Sequence, residues 1–143
     1  MKKLILLIPF LSLLAFGQTY SPQTIYGGTS NITASSTATI GTTIDCRKQK
    51  KVGVQVQFKL SGSGTGNQVL TFERSLDGSN WETLTANKHT ITIAATGATE
   101  SVTVDEIDCK GAGYIRLASW QNADASRYTT NVVVKYGLKI NAP

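Results

Sequence analysis

The side chains able to do chemistry are few: one His, two Cys and 9 Asp or Glu in 143 residues. His89 is the only imidazole, in Asn87-Lys88-His89-Thr90. A catalytic triad needs a nucleophile within reach of that ring and a third group to orient it. No Gly-x-Ser-x-Gly elbow occurs, so His89 reads as an exposed loop-end histidine and no catalytic residue is assigned. Asp105, Glu106 and Asp108 form an acidic cluster, while Asp77 and Asp124 fall in polar stretches. Carboxylates about 5–10 Å apart can hydrolyse glycosides, and they can also bind calcium. The residue types alone single out neither role, and a solvated stretch before Cys109 is the plainer reading. No metal ligand set is complete with one His and two distant Cys, so neither metal nor cofactor is expected. The expectation is a non-enzymatic protein.

The cysteines depend on where the chain goes. Met1-Lys2-Lys3 precedes an apolar run from Leu4 to Phe16, with Ala15 and Gly17 at the small-x-small positions of a cleavage site. This is the pattern of a secretory signal peptide over residues 1–17, cut before Gln18. The run is too short to cross a bilayer: about 14 residues reach roughly 21 Å of the roughly 30 Å core. A short membrane anchor is the competing reading; cleavage would leave no stable span. The expected location is secreted, periplasmic or cell-surface, or on a virion. Export makes a Cys46–Cys109 disulfide the default. It would close a loop of about 64 residues, worth on the order of 4 kcal/mol. Two buried free thiols are the alternative. Losing Lys2 and Lys3 lowers the net charge from +5 to +3, too little and too scattered to imply nucleic acid.

The most distinctive stretch is Phe72-Glu73-Arg74-Ser75-Leu76-Asp77-Gly78-Ser79-Asn80-Trp81. A strand ends at Ser75, Asp77-Gly78 turns, and Trp81 enters the next strand. Trp81 either folds back and buries its ring, or stands out as a platform for a sugar's C–H face. Candidate ligand-binding residues are therefore Trp81 and Asn80, with Trp120 and Tyr128 as partners. Ser75-x-Asp77-Gly78-x-x-Trp81 resembles a hairpin of discoidin-like extracellular β-sandwich modules, which implies binding of glycans, lipids or proteins. More broadly, Val69 to Trp81 and Gly111 to Leu117 resemble small β-sandwich proteins of bacteriophage virions. The two stretches cover about 20 of 143 residues, and no functional residue carries over from either resemblance.

The elements that must position these residues read as β throughout. Val52, Val54, Val56, Phe58 and Leu60 alternate with polar residues or Gly over Lys51 to Leu60, a strand with one buried face. Val132 to Ile140 repeats the pattern, and Thr37 to Ile44 precedes the first long strand. Shorter strands are expected at Val69 to Ser75, Trp81 to Leu84, Thr90 to Ala94, Ser101 to Val104 and Tyr114 to Trp120. Ala95-Thr96-Gly97-Ala98 suggests a hairpin between Thr90–Ala94 and Ser101–Val104. Ile44-Asp45-Cys46-Arg47 and Ile107-Asp108-Cys109-Lys110 echo one another and could hold matching places in facing sheets or neighbouring strands. The sum is an all-β chain: one β-sandwich of about eight antiparallel strands, jelly-roll or immunoglobulin-like. The expected organisation is an extended arm over residues 18–36 and the sandwich over 37–143. The expected function is a structural or adhesive module acting through protein partners, self-assembly among them. A secreted glycan-binding module is the alternative.

Overall fold

A computed structural model of the chain describes residues 22–27, 31–63, 65–95 and 101–138. The expected signal peptide and Ile140 lie outside the described residues. Eight strands form: β1 Gln23–Gly27, β2 Ser36–Asp45, β3 Lys51–Leu60, β4 Asn67–Ser75, β5 His89–Ala94, β6 Ser101–Asp108, β7 Tyr114–Asn122 and β8 Thr129–Leu138. They make two four-stranded sheets, ordered β1-β8-β3-β6 and β2-β7-β4-β5. All pairings are antiparallel. The first strand pairs with the eighth, the second with the seventh, the third with the sixth and the fourth with the fifth. That nested ribbon, rolled so that alternate pairs fall in opposite sheets, is a jelly roll. The open choice between jelly-roll and immunoglobulin-like topology is thereby decided.

The strand at Lys51–Leu60 has the bounds its alternation predicts. Val52, Val54, Val56, Phe58 and Leu60 are each at most 1% exposed, facing the other sheet. Trp120 of β7 meets Phe58 edge-on, with ring centroids 5.8 Å apart, and joins the two layers. Gly41, at φ +78°, sits where the β2–β7 register shifts between Thr39 and Thr42, a bulge for which glycine is suited.

Four expectations change. Part of the arm expected over residues 18–36 is strand β1, held along β8. Trp81 to Leu84 is not a strand; it belongs to the long β4–β5 connection, which ends in one 3₁₀ turn, Thr85–Asn87. Thr90–Ala94 and Ser101–Val104 do not make a hairpin. The first lies in β5, where Leu70 pairs with Ile91 across β4, and the second opens β6, which pairs with β3. The two strands lie in different sheets, and residues 96–98 of the expected turn lie outside the described residues. Finally, Asp105, Glu106 and Asp108 lie on β6 rather than in a solvated linker.

Candidate functional site

Three connections meet at one end of the sandwich: residues 46–50, 76–88 and 109–113. Two of them carry the Ile-Asp-Cys echo and are built alike, one after a strand of each sheet. Ile44 and Ile107 are fully buried. Asp45 accepts the Arg47 N–H at 3.1 Å, and Asp108 accepts the Lys110 N–H at 2.8 Å. Each cysteine N–H then donates into the other turn: Cys46 to Gly113 O at 2.9 Å, and Cys109 to Lys50 O at 2.8 Å. The four-residue echo is therefore a local two-fold likeness that locks the turns together.

Cys46 and Cys109 lie at its centre as two buried free thiols. The pair stands here as thiols, the form that the expected disulfide takes on reduction. The Cys46 thiol donates to Ala112 O at 3.5 Å. Burial, and then the neighbouring Cys109, push its pKa up to about 12. Burial also raises Cys109, partly offset by its hydrogen bond with Cys46. Both sulfurs are therefore kept protonated, with little nucleophilic character.

The third connection folds back on β4. Asp77 accepts the N–H groups of Ser79 and Asn80, both at 2.8 Å, and the Asn80 side-chain amide at 2.7 Å. The Asn80 and Ser79 backbone donors hold the Asp77 carboxyl well below the usual carboxylate range. Gly78 turns at φ +77°. Glu82 N–H then bonds Arg74 O at 3.0 Å, which returns the chain to the strand it left. This closure, not pairing with a new strand, is why the expected strand at Trp81 does not form.

Trp81 is half-buried, with the Arg116 guanidinium 4.4 Å from its ring centre. Arg116 also grips Glu73, with N–O distances of 2.6 and 2.8 Å, and Lys88 reaches the same carboxylate at 2.5 Å. Burial would raise the Glu73 pKa, but the hydrogen bonds from Lys88 and Arg116 outweigh it and the net shift is downward. Arg74 plugs the end of the sandwich, donating to Asp108 O at 2.8 Å and Asn87 O at 2.6 Å. A cavity of about 540 Å³ opens over these groups, lined among others by Asn80, Trp81, Glu82 and Lys110. It offers one aromatic ring, amide and carboxylate acceptors and a cation within a lining that is mostly apolar.

Of the four expected ligand residues, only Asn80 and Trp81 meet here. Trp120 is a correction: its ring is fully buried, and its Nε1–H donates to Gln68 at 2.8 Å. An indole at that depth packs the core and cannot face a ligand. Tyr128 is 45% exposed but precedes β8, at the opposite end of the sandwich. His89 is half-buried rather than exposed, and its Nε2 lies 3.1 Å from Asp105, bridging the edges of β5 and β6. Glu106 pairs with Lys51, and Asp124 binds the backbone N–H groups of Thr65, Gly66, Ser126 and Arg127. The acids weighed for hydrolysis or calcium thus hold strands and loops. Sequence reading missed the Glu73–Arg116–Trp81 stack, because Arg116 is 43 residues beyond Glu73. The available signal was a charged pair, Glu73-Arg74, at the end of an apolar strand.

A second concavity, about 700 Å³, lies on the outer face of β1-β8-β3-β6, where Gly53 and Gly137 are in register. Beside it the edge strand β6 exposes Val104 to 73% and Val102 to 55%.

The sequence matches no protein-family model and no curated protein. Among solved structures, the chain is similar to one of the Gx strain of infectious bursal disease virus, at 12% identity and a TM-score of 0.45 over 89% of this chain. It spans about a third (34%) of that viral chain. It is also similar to a carbohydrate-binding module of Cellvibrio mixtus lichenase 5A in complex with cellotriose, at 17% identity and a TM-score of 0.43. That likeness covers 87% of this chain and 89% of the module.

Proposed function

We propose that this protein is a non-enzymatic structural or adhesive β-sandwich module of an extracellular or virion surface, and that it works by self-assembly along β6. The observation that carries this reading is the unblunted first half of that strand. Unpaired strand edges add further strands unless bulges, charges or shortness prevent it. Of the four edge strands, β1 and β2 carry register breaks and β5 is only 6 residues long. By contrast, β6 pairs with β3 over 8 residues without a break. Its charges are confined to Asp105, Glu106 and Asp108, leaving Val102 and Val104 open to water. Size-exclusion chromatography with light scattering tests this. The expected result is a concentration-dependent oligomer that Val102→Lys with Val104→Lys shifts to monomer. A monomer at every concentration overturns the reading.

A second reading, glycan binding, is favoured by the cleft that joins Trp81 and Asn80. A glycan array on the protein and its Trp81→Ala variant tests it. Retention of neutral sugars that is lost in the variant supports it. No binder, or binding untouched by the change, removes it.

A further inference from the structure

The same loop end concentrates the protein's positive charge. Arg47-Lys48-Gln49-Lys50-Lys51 places four cations in five residues, and Lys110 adds a fifth from the facing turn. Short Lys/Arg-rich runs are the signature of polyanion-binding patches. The fold makes these five one patch. The bond from Cys109 N–H to Lys50 O sets Lys110 next to Lys50. Arg47 lies over the Tyr114 ring at 5.3 Å, at the other end of that turn. Arg47 is neutralised by Asp45 and Lys51 by Glu106. Lys48, Lys50 and Lys110 are exposed and have no ion-pair partner among the described residues. Lys110 is held at φ +48°, ahead of Gly111 at φ +76°, so its presentation is set by the turn.

The patch is hollow rather than domed. A cavity of about 710 Å³, lined by Asp45, Arg47, Lys48, Gln49 and Leu138, lies on one side, with Asp45 engaged by Arg47. The Trp81 cleft, which Lys110 and Ala112 also line, lies on the other. Leu76 and Leu84 stand exposed on the 76–88 connection at this end, as apolar tips that meet a bilayer would, but Lys48 and Lys110 line concavities, which a polymer strand can enter and a flat bilayer cannot. We propose that this end of the sandwich binds an acidic polysaccharide. Lys48, Lys50 and Lys110 would take its sulfate or carboxylate groups, and the Trp81–Asn80 cleft would take a neighbouring sugar ring. The sugar half rests on the glycan-binding reading above; the charge half does not.

Affinity electrophoresis of the whole protein through dextran sulfate and through unsulfated dextran tests the proposal. Retardation by dextran sulfate is expected to fall about 20- to 40-fold between 50 and 200 mM salt, as displacement of about three counterions requires. A Lys48→Glu, Lys50→Glu, Lys110→Asn variant is expected to lose it by a similar factor, asparagine being chosen because it tolerates a left-handed backbone. Trp81→Ala should weaken binding while leaving its salt dependence intact. Should the triple variant misfold, the salt series on the unaltered protein still decides. Equal retardation in both dextrans overturns the proposal, as does retardation indifferent to salt or to the three lysines. So does equally tight binding of duplex DNA or phosphatidylserine vesicles. Trp81-dependent binding of neutral sugars on the array, without preference for dextran sulfate, would retain the glycan reading and remove only this one.

Discussion

At the scale of single residues, two positions carry sharp expectations. Cys46 and Cys109 are side by side, one at the end of a strand from each sheet, so little rearrangement separates them from the bond first expected of them. We propose that oxidised glutathione converts the pair only slowly, at a rate that rises with pH because a thiolate must attack: two thiols and one glutathione disulfide give the protein disulfide and two molecules of glutathione. The intact mass should fall by about 2 Da on formation of one S–S bond. Two alkylation sites should disappear under denaturing conditions and return on reduction. Mixed glutathione adducts instead of the 2 Da loss would count against it. The second position is Gly66. A Cβ there would lie 2.2 Å from Asp124 Cα and 2.3 Å from its nitrogen. Backbone cannot yield as a side chain can, so Gly66→Ala should cost about 3 kcal/mol, read as a lower urea midpoint. The approach of Cys46 to Cys109 was legible in the sequence; the contact at Gly66 was not. Gly66 reads as one more flexible residue of Ser61 to Asn67, and the residue that forbids its substitution is 58 positions away.

At the scale of elements, legibility followed periodicity. β3 was readable to its last residue because its partners on both sides leave the two faces unlike: apolar inward, Lys, Gly and Gln outward. Trp81 to Leu84 misled because a turn dipeptide before an aromatic residue looks the same whether the chain pairs onward or folds back. The difference lies in the Asp77 carboxylate and in Arg116, one local and one distant. Trp120 misled for a related reason. Its strand ends in Gln121-Asn122, which reads as a polar rim, yet Gln68, Asn122 and Trp120 form a buried chain of hydrogen bonds between β4 and β7. Gln68→Leu would leave the indole N–H and the Asn122 carbonyl oxygen without that partner. The expected cost is about 2 kcal/mol, measurable by denaturant unfolding.

For the whole molecule, acid should be the condition that loosens the fold, at the candidate site through Glu73 and Asp77 and at the opposite end through Asp124. Glu73, Asp77 and Asp124 all have pKa values below the ordinary range in the folded chain. A depressed folded pKa adds stability above the unfolded pKa, and that stability is lost as pH falls through the folded one. Stability should thus hold from neutrality to about pH 4.5 and decline below it. Glu73→Gln should flatten part of that decline, because its neutral amide has no proton to gain. Urea midpoints at a series of pH values measure both slopes, and parallel slopes would contradict the assignment to Glu73.

The nested pairing of first strand with eighth also sets a timetable. Only β4 and β5 are partners close in sequence; β8 lies between β1 and β3, in the middle of its sheet. As the chain is synthesised, β1 and β3 therefore wait for the strand that joins them, which is the last of the eight described. Loop-closure entropy must be overcome across nearly the whole chain before the sheet gains its central contacts. Folding should accordingly be slow and all-or-none, with an unfinished chain staying pliant enough to be threaded through a narrow channel until β8 is released.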